Sequence, residues 1–254
     1  MKKLSVVIPA YNEEASIKKD SLEKVWNFLK RQKYAWEVII VNDASTDETL
    51  DLCLRFTKKH RGFKVLDEPH RGKGGSVIAG MLRAGGEIIL FCDMDQATPI
   101  EEFEKFTPKF EESLPAGRQG YDIAIGSRSG RKGAPIIRKL MAYGFSLLRT
   151  IILKLPYKDT QCGFKAFRKE AARSIFKRMK VVSEKSVAKG AAVTAGFDLE
   201  ILYLARKLNL KVAEVPVVWY HKETERINPI KDSFEGLRDL LKVRINALEG
   251  KYKI

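Results

Sequence analysis

Short runs of consecutive apolar residues alternate along the chain with segments in which apolar side chains return every three to four positions. "LSVVIPA" (4–10), "WEVIIVND" (36–43), "FKVLDEP" (63–69), "EIILFCD" (87–93), "YDIAIGSR" (121–128) and "KVAEVPVVWYH" (211–221) read as strands. Between the first two, Ile17, Leu22, Val25, Trp26 and Leu29 of "EEASIKKDSLEKVWNFLKRQ" keep the helical period. So do "DETLDLCLRFTKKH" (47–60), with Ser45 or Thr46 as its expected N-cap, and "KGGSVIAGMLRAG". The helical period returns in "APIIRKLMAYGFSLLRTIILKLPY", "FDLEILYLARKLNL" and "DSFEGLRDLLKVRINALEG", while "DTQCGFKAFRKEAARSIFKRM" reads as a short loop and a helix. This alternation predicts right-handed βαβ units, hence an α/β fold with a mixed, mainly parallel sheet flanked by helices.

Ligands of such sheets sit at the carboxyl ends of the strands. "PAYNEE", "VNDASTDET" and "CDMDQATP" all fall there, and three polar strand ends facing one crevice point to a site. Asp93 and Asp95 follow a buried run, where a carboxylate is costly without a partner. Two carboxylates so spaced suit a divalent cation, Mg²⁺ or Mn²⁺, that keeps waters and takes up phosphates; the spacing alone also fits a solvated pair. Asp43 fits either a carboxylate that accepts from the imide N–H of uracil or a guanine edge, or a turn or N-cap aspartate. "HRGKGG" (70–75) is a cationic, glycine-rich turn ahead of a helix, suited to anions or simply to a tight turn. It does not match GxxxxGK[ST].

Composition narrows the classes. The 254 residues are 44% hydrophobic, enough for one large core. Cys53, Cys92 and Cys162 form no CxxC pair, which favours a reducing cytoplasm over a disulfide framework. No apolar stretch approaches the roughly 20 residues of a membrane span. Lys and Arg number 47 against 32 Asp and Glu, a net charge of +15. Nucleic acid, an anionic membrane surface or a phosphorylated substrate would each answer it, as would a solvated surface. A basic nucleic-acid-binding protein needs exposed aromatics, whereas Trp26, Trp36 and Trp219 sit in apolar periodic segments. A sugar nucleotidyltransferase would resemble chains with a glycine-rich turn after the first strand, and "PAYNEE" has none.

Taken in order, "LSVVIPAYNEE", "IIVNDASTDET", "RGKGGSVIAGM", "FCDMDQATP", "IGSR", "DTQCGFKAFRKEAA" and "GFDLEILYLA" resemble family 2 glycosyltransferases of the GT-A fold. Among these the chain is most similar to the polyprenyl- or dolichyl-phosphate sugar synthases, and through "DTQCGFK" followed by "FDLEILYLA" to the dolichyl-phosphate β-glucosyltransferases. The resemblance runs from about Leu4 to about Val243. It implies a single GT-A domain over 1–254, with a nucleotide-binding half over about 1–100 and an acceptor half over about 101–254. It implies an inverting hexosyltransferase acting on UDP-glucose, in preference to GDP-mannose, and on a polyprenyl or dolichyl phosphate. Pro9, Ala10, Tyr11, Glu13, Lys73 and Met94 would line the donor site, Asp43 would read the base, and Asp93 and Asp95 would hold Mg²⁺ or Mn²⁺. Arg128, Arg138, Gln161 and Lys165 would meet the acceptor, and Asp198, Asp159 and Arg128 would form the catalytic group. Asn42 stands where the family often has an acid. Ala97 stands where mannosyl relatives tend to have Gln. "SLPAGRQG" and "SEKSVAKGAAVTA" look longer than in relatives, the second in the position of a lid or an inert insertion.

A lipid phosphate is already anionic and needs cations more than a general base. Its tail stays in a bilayer, which calls for peripheral membrane attachment on the cytoplasmic side and for no nucleic-acid partner. Ile136, Leu140, Leu147, Leu148, Ile151, Ile152 and Leu155 recur at helical spacing, with Arg138 and Arg149 on nearly one side. Phe234, Leu237, Leu241, Ile245 and Leu248 form a second stripe opposite Arg238 and Lys242. Either stripe suits a membrane surface or packing on the sheet.

Overall fold

The computed structural model describes residues 3–111, 120–128, 144, 147–182, 195–220 and 229–253, the side chains of 195 and 229–235 excepted. Arg138, most of the segment around "SLPAGRQG" and residues 183–194 lie outside it. The described strands are β1 (Lys3–Ala10), β2 (Ala35–Asp43), β3 (Phe63–Glu68), β4 (Ile88–Cys92), β5 (Ile123–Arg128), β6 (Phe164–Arg168) and β7 (Val212–Val217). They form one sheet in the order β3-β2-β1-β4-β6-β5-β7. Pairing is parallel except along β6, which runs antiparallel to both β4 and β5.

Both faces of the sheet are covered, which is why β1, β2 and β4 are apolar at successive positions. Val7, Ile39, Phe91, Ile125 and Phe167 face one core, filled by α4 (Gly72–Arg83), α7 (Lys169–Phe176), α8 (Ala195–Lys207) and α9 (Pro229–Leu248). Val6, Ile8, Ile40, Leu90 and Phe164 face the other, closed by α2 (Ser21–Leu29), Cys53 of α3 (Thr49–Lys59), Phe103 and Phe106, and Phe110 of α5 (Thr107–Glu111). Trp26 and Trp36 pack against this second core, so neither is a platform for nucleic acid. All three cysteines are buried free thiols. Among the described residues no helix is long and apolar enough to cross a membrane.

Four sequence expectations need correction. The helix expected from Glu13 onward is two: α1 (Glu14–Lys18) and α2 separate at Asp20, whose backbone is left-handed (φ 61). Neither Ser45 nor Thr46 caps α3, because both are engaged by Asn12; Asp47 Oδ1 instead accepts from the Thr49 N–H at 3.0 Å. β6 was read as loop and helix. "FKAFR" is short, is apolar toward both cores and passes into α7 without a turn residue. Finally, Arg149 does not flank an interfacial helix. In the helical segment 147–153 (α6) it is 4% exposed and donates to Thr160 Oγ1 and the Tyr157 carbonyl, while Leu147, Leu148 and Ile151 are exposed.

The reversal of β6 positions the site. Cys92 pairs with Phe164, so the loop entering β6 lies beside the carboxyl end of β4. Residues 159–163 therefore share an edge with Asp93 and with Arg128, the last residue of β5.

Candidate active site

Asp93 and Asp95 follow β4, with Met94 between them 2% exposed and accepting from Ser21 Oγ at 3.5 Å. Anchoring Met94 in the core leaves its two neighbours on the crevice side, both half-buried. Met94 was expected to line the donor site; its side chain lies in the core. Asp95 Oδ1 accepts from the Ala97 N–H at 2.9 Å. Asp93 lies so close to Gly163 that a Cβ there would collide with its carboxylate. Lys73, in the first turn of α4, sets Nζ 2.5 Å from Asp93 Oδ1. Burial alone would depress the Lys73 pKa, but the carboxylates of Asp93, Asp198 and Asp95 outweigh it and the net shift is upward.

These residues fit a divalent cation. Asp93 already accepts a cationic partner in the Lys73 ammonium, and Asp95 stands two positions on. Among the described residues no group of three or more His, Cys, Asp or Glu side chains could hold a metal. Two carboxylates fit a site in which the donor's diphosphate and waters complete the shell.

Asp43 ends β2 and is 1% exposed. Oδ1 accepts from the Arg71 N–H at 2.7 Å, and Oδ2 from the Gly72 N–H at 2.9 Å and from His70 Nδ1, also at 2.9 Å. The carboxylate thus ties down the turn before α4, where Gly72 has φ 74. His70 stacks on Tyr11 with centroids 4.4 Å apart and planes at 22°. Tyr11 and His70 are half-buried, whereas the Asp43 carboxylate is sealed. Reading the "HRGKGG" turn for its glycines passed over His70. Pro9 and Ala10 close β1 beneath Tyr11, and Glu13 accepts from Ser16 Oγ at 2.6 Å while its N–H donates to Thr49 Oγ1.

At the end of β5, Arg128 Nε and Nη2 donate to the two Asp159 oxygens at 2.6 and 2.9 Å, and the Arg128 N–H donates to Oδ2 at 3.1 Å. Burial would raise the Asp159 pKa, but the guanidinium pulls it down to about 2. Two residues proposed to act separately are therefore one unit, and both Asp159 oxygens are spent on Arg128. Gln161 is exposed. Lys165, expected at the acceptor, is 0% exposed; its Nζ lies 2.6 Å from Asp198 Oδ1 and donates to the Cys162 carbonyl at 2.5 Å. It reaches Asp198, in the first turn of α8, from the core beneath the site.

Comparison with known proteins supplies a family. Residues 5–176 match the model for glycosyl transferase family 2. A dolichyl-phosphate β-glucosyltransferase of Drosophila melanogaster is 34% identical over 265 residues, covering 99% of this chain and 77% of that protein. The mannosyl-3-phosphoglycerate synthase of Rubrobacter xylanophilus shares the fold with a TM-score of 0.67 at 17% identity, over 98% of this chain and 75% of that one. The glucosyl-3-phosphoglycerate synthase of Mycobacterium tuberculosis, crystallised with Mn²⁺, UDP and phosphoglyceric acid, does so with a TM-score of 0.61 at 19% identity, over 96% and 78%.

Proposed function

The chain belongs to glycosyl transferase family 2, and we propose that it moves glucose from UDP-glucose to a polyprenyl or dolichyl phosphate at a membrane surface, inverting the anomeric carbon. The observation that carries this reading is the similarity, over nearly the whole chain, to a dolichyl-phosphate β-glucosyltransferase. The geometry of the crevice supports it. Asp93 and Asp95 would hold Mg²⁺ or Mn²⁺, which when bound neutralises charge on the departing diphosphate. Lys73 binds the same diphosphate, and Tyr11 with His70 presents a flat face to the base. Asp198, held from below by Lys165, accepts from a sugar hydroxyl. Arg128, aimed by Asp159, draws in the acceptor phosphate. That nucleophile arrives deprotonated, so neither aspartate has a proton to remove.

Peripheral attachment is part of the proposal. Leu147, Leu148 and Ile151 on α6 are exposed, and so are Leu241, Ile245 and Leu248 on α9, the last at 71%. Together with the net charge of +15 they suit an anionic leaflet. Competition between donors tests the sugar: UDP-glucose is expected to support faster transfer than GDP-mannose under matched conditions, and the reverse order would overturn that assignment.

A further inference from the structure

The Lys73–Asp93 pair differs from the other ion pairs of the crevice in being open. The side chains are 28% and 36% exposed and share one contact, at 2.5 Å. Gly163 lies against the carboxylate on one side, where a Cβ would collide with it. The ammonium is the movable partner: it sits on a flexible four-carbon stem in the first turn of α4, preceded by the left-handed Gly72. It also stands in the field of Asp95 and Asp198, although Asp198 has its own close cation in Lys165. A divalent cation that uses Asp93 must displace this ammonium, and a diphosphate offers the ammonium somewhere to go.

We propose that Lys73 is a built-in counter-cation for the carboxylate pair. In the empty enzyme it neutralises Asp93; when the donor enters it passes to the diphosphate and leaves Asp93 to the metal. The proposal rests on the metal-and-donor reading above and adds a reason for metal and donor to bind together. A cation arriving alone competes with Lys73, whereas a cation arriving with the donor does not. Each ligand then raises the affinity for the other, and by the same factor.

Binding of Mn²⁺, followed by the electron paramagnetic resonance signal of the free ion with and without UDP, tests this without any transfer reaction. The proteins compared are the wild type, Lys73→Met and Lys73→Gln, each checked for folding by circular dichroism. UDP is expected to tighten Mn²⁺ binding to the wild type on the order of tenfold. Without UDP, both variants are expected to bind Mn²⁺ several-fold more tightly than the wild type, and without Mn²⁺ to bind UDP more weakly. Variants that bind Mn²⁺ alone no more tightly than the wild type would overturn the counter-cation role while leaving the metal site standing. Failure of the wild type to bind Mn²⁺ even with UDP present would overturn the metal reading, and this inference with it.

Discussion

Arg128–Asp159 and Lys73–Asp93 stand at the same edge of the sheet and are held in opposite ways. The first is a fork of two side-chain hydrogen bonds with a backbone N–H added, its side chains 17% and 11% exposed. The second is a single contact between half-buried side chains. A buried bidentate pair keeps its geometry because separating it strands a charge. A lone ammonium on a flexible stem can change partner when the new one is also anionic. On the proposed function, the Arg128 side of the crevice would thus be set in advance, while the Lys73 side would exchange one cation for another.

Neutralising Asp93 of the open pair, or Asp95 beside it, should cost the most activity. Asp95→Asn or Asp93→Asn is expected to lower transfer on the order of 10³-fold. Because these carboxylates are half-exposed, urea unfolding of either variant should stay close to wild type. Near-normal rates in either variant, or full activity in excess EDTA, would contradict the metal assignment. Breaking the closed pair should show instead in stability. Asp159→Ala strands the Arg128 guanidinium and should cost about 3 kcal/mol in urea unfolding; a cost under about 0.5 kcal/mol would mean that the fork is not a unit.

Acid titration sharpens the same contrast through two buried carboxylates that shift in opposite directions. Asp159 is pulled down to about 2 in the fold, so its stabilisation is complete above the ordinary value of 3.8 and is lost as pH falls from there toward 2. Glu200 has no such fork. It is 0% exposed and accepts from the N–H groups of Lys180 and Val181, and burial pushes it up to about 7. The folded state then holds the Glu200 proton more tightly than the unfolded one. Stability is full below 4.5 and declines as pH rises through 7, by up to about 3 kcal/mol. Unfolding of Glu200→Gln at pH 5 and pH 8 should lack this decline. The smallest effect is expected from Ile245→Ser on α9: co-sedimentation with anionic vesicles at low salt falls a few-fold while stability is unchanged. Equal recovery of the wild type on neutral and anionic vesicles would leave the surface charge without a membrane role.

Most of the sheet was legible because a strand buried on both faces writes itself as an unbroken apolar run. β6 was not, since its five residues include Lys165 and Arg168 and run directly into α7. That omission hid the antiparallel reversal which sets Asp159 and Gly163 beside β4. Asp93 and Asp95 were legible from their place after a buried strand, and the apolar Met94 between them is what aims them. Lys165 was placed at the acceptor by the resemblance of "DTQCGFK"; only the approach of α8 shows Asp198 as its partner. The pairing of Arg128 with Asp159 joins residues 31 positions apart, a separation that carries no local pattern.

Lipid extraction of a transfer reaction tests the central claim most directly. Labelled UDP-glucose is incubated with the protein, Mn²⁺ and dolichyl phosphate in anionic liposomes, and label is counted in the organic phase. The expected result is a β-linked glucosyl lipid phosphate whose formation requires the acceptor and ceases in EDTA. Label that stays entirely in the aqueous phase with UDP-glucose, but enters the lipid with GDP-mannose, would contradict it.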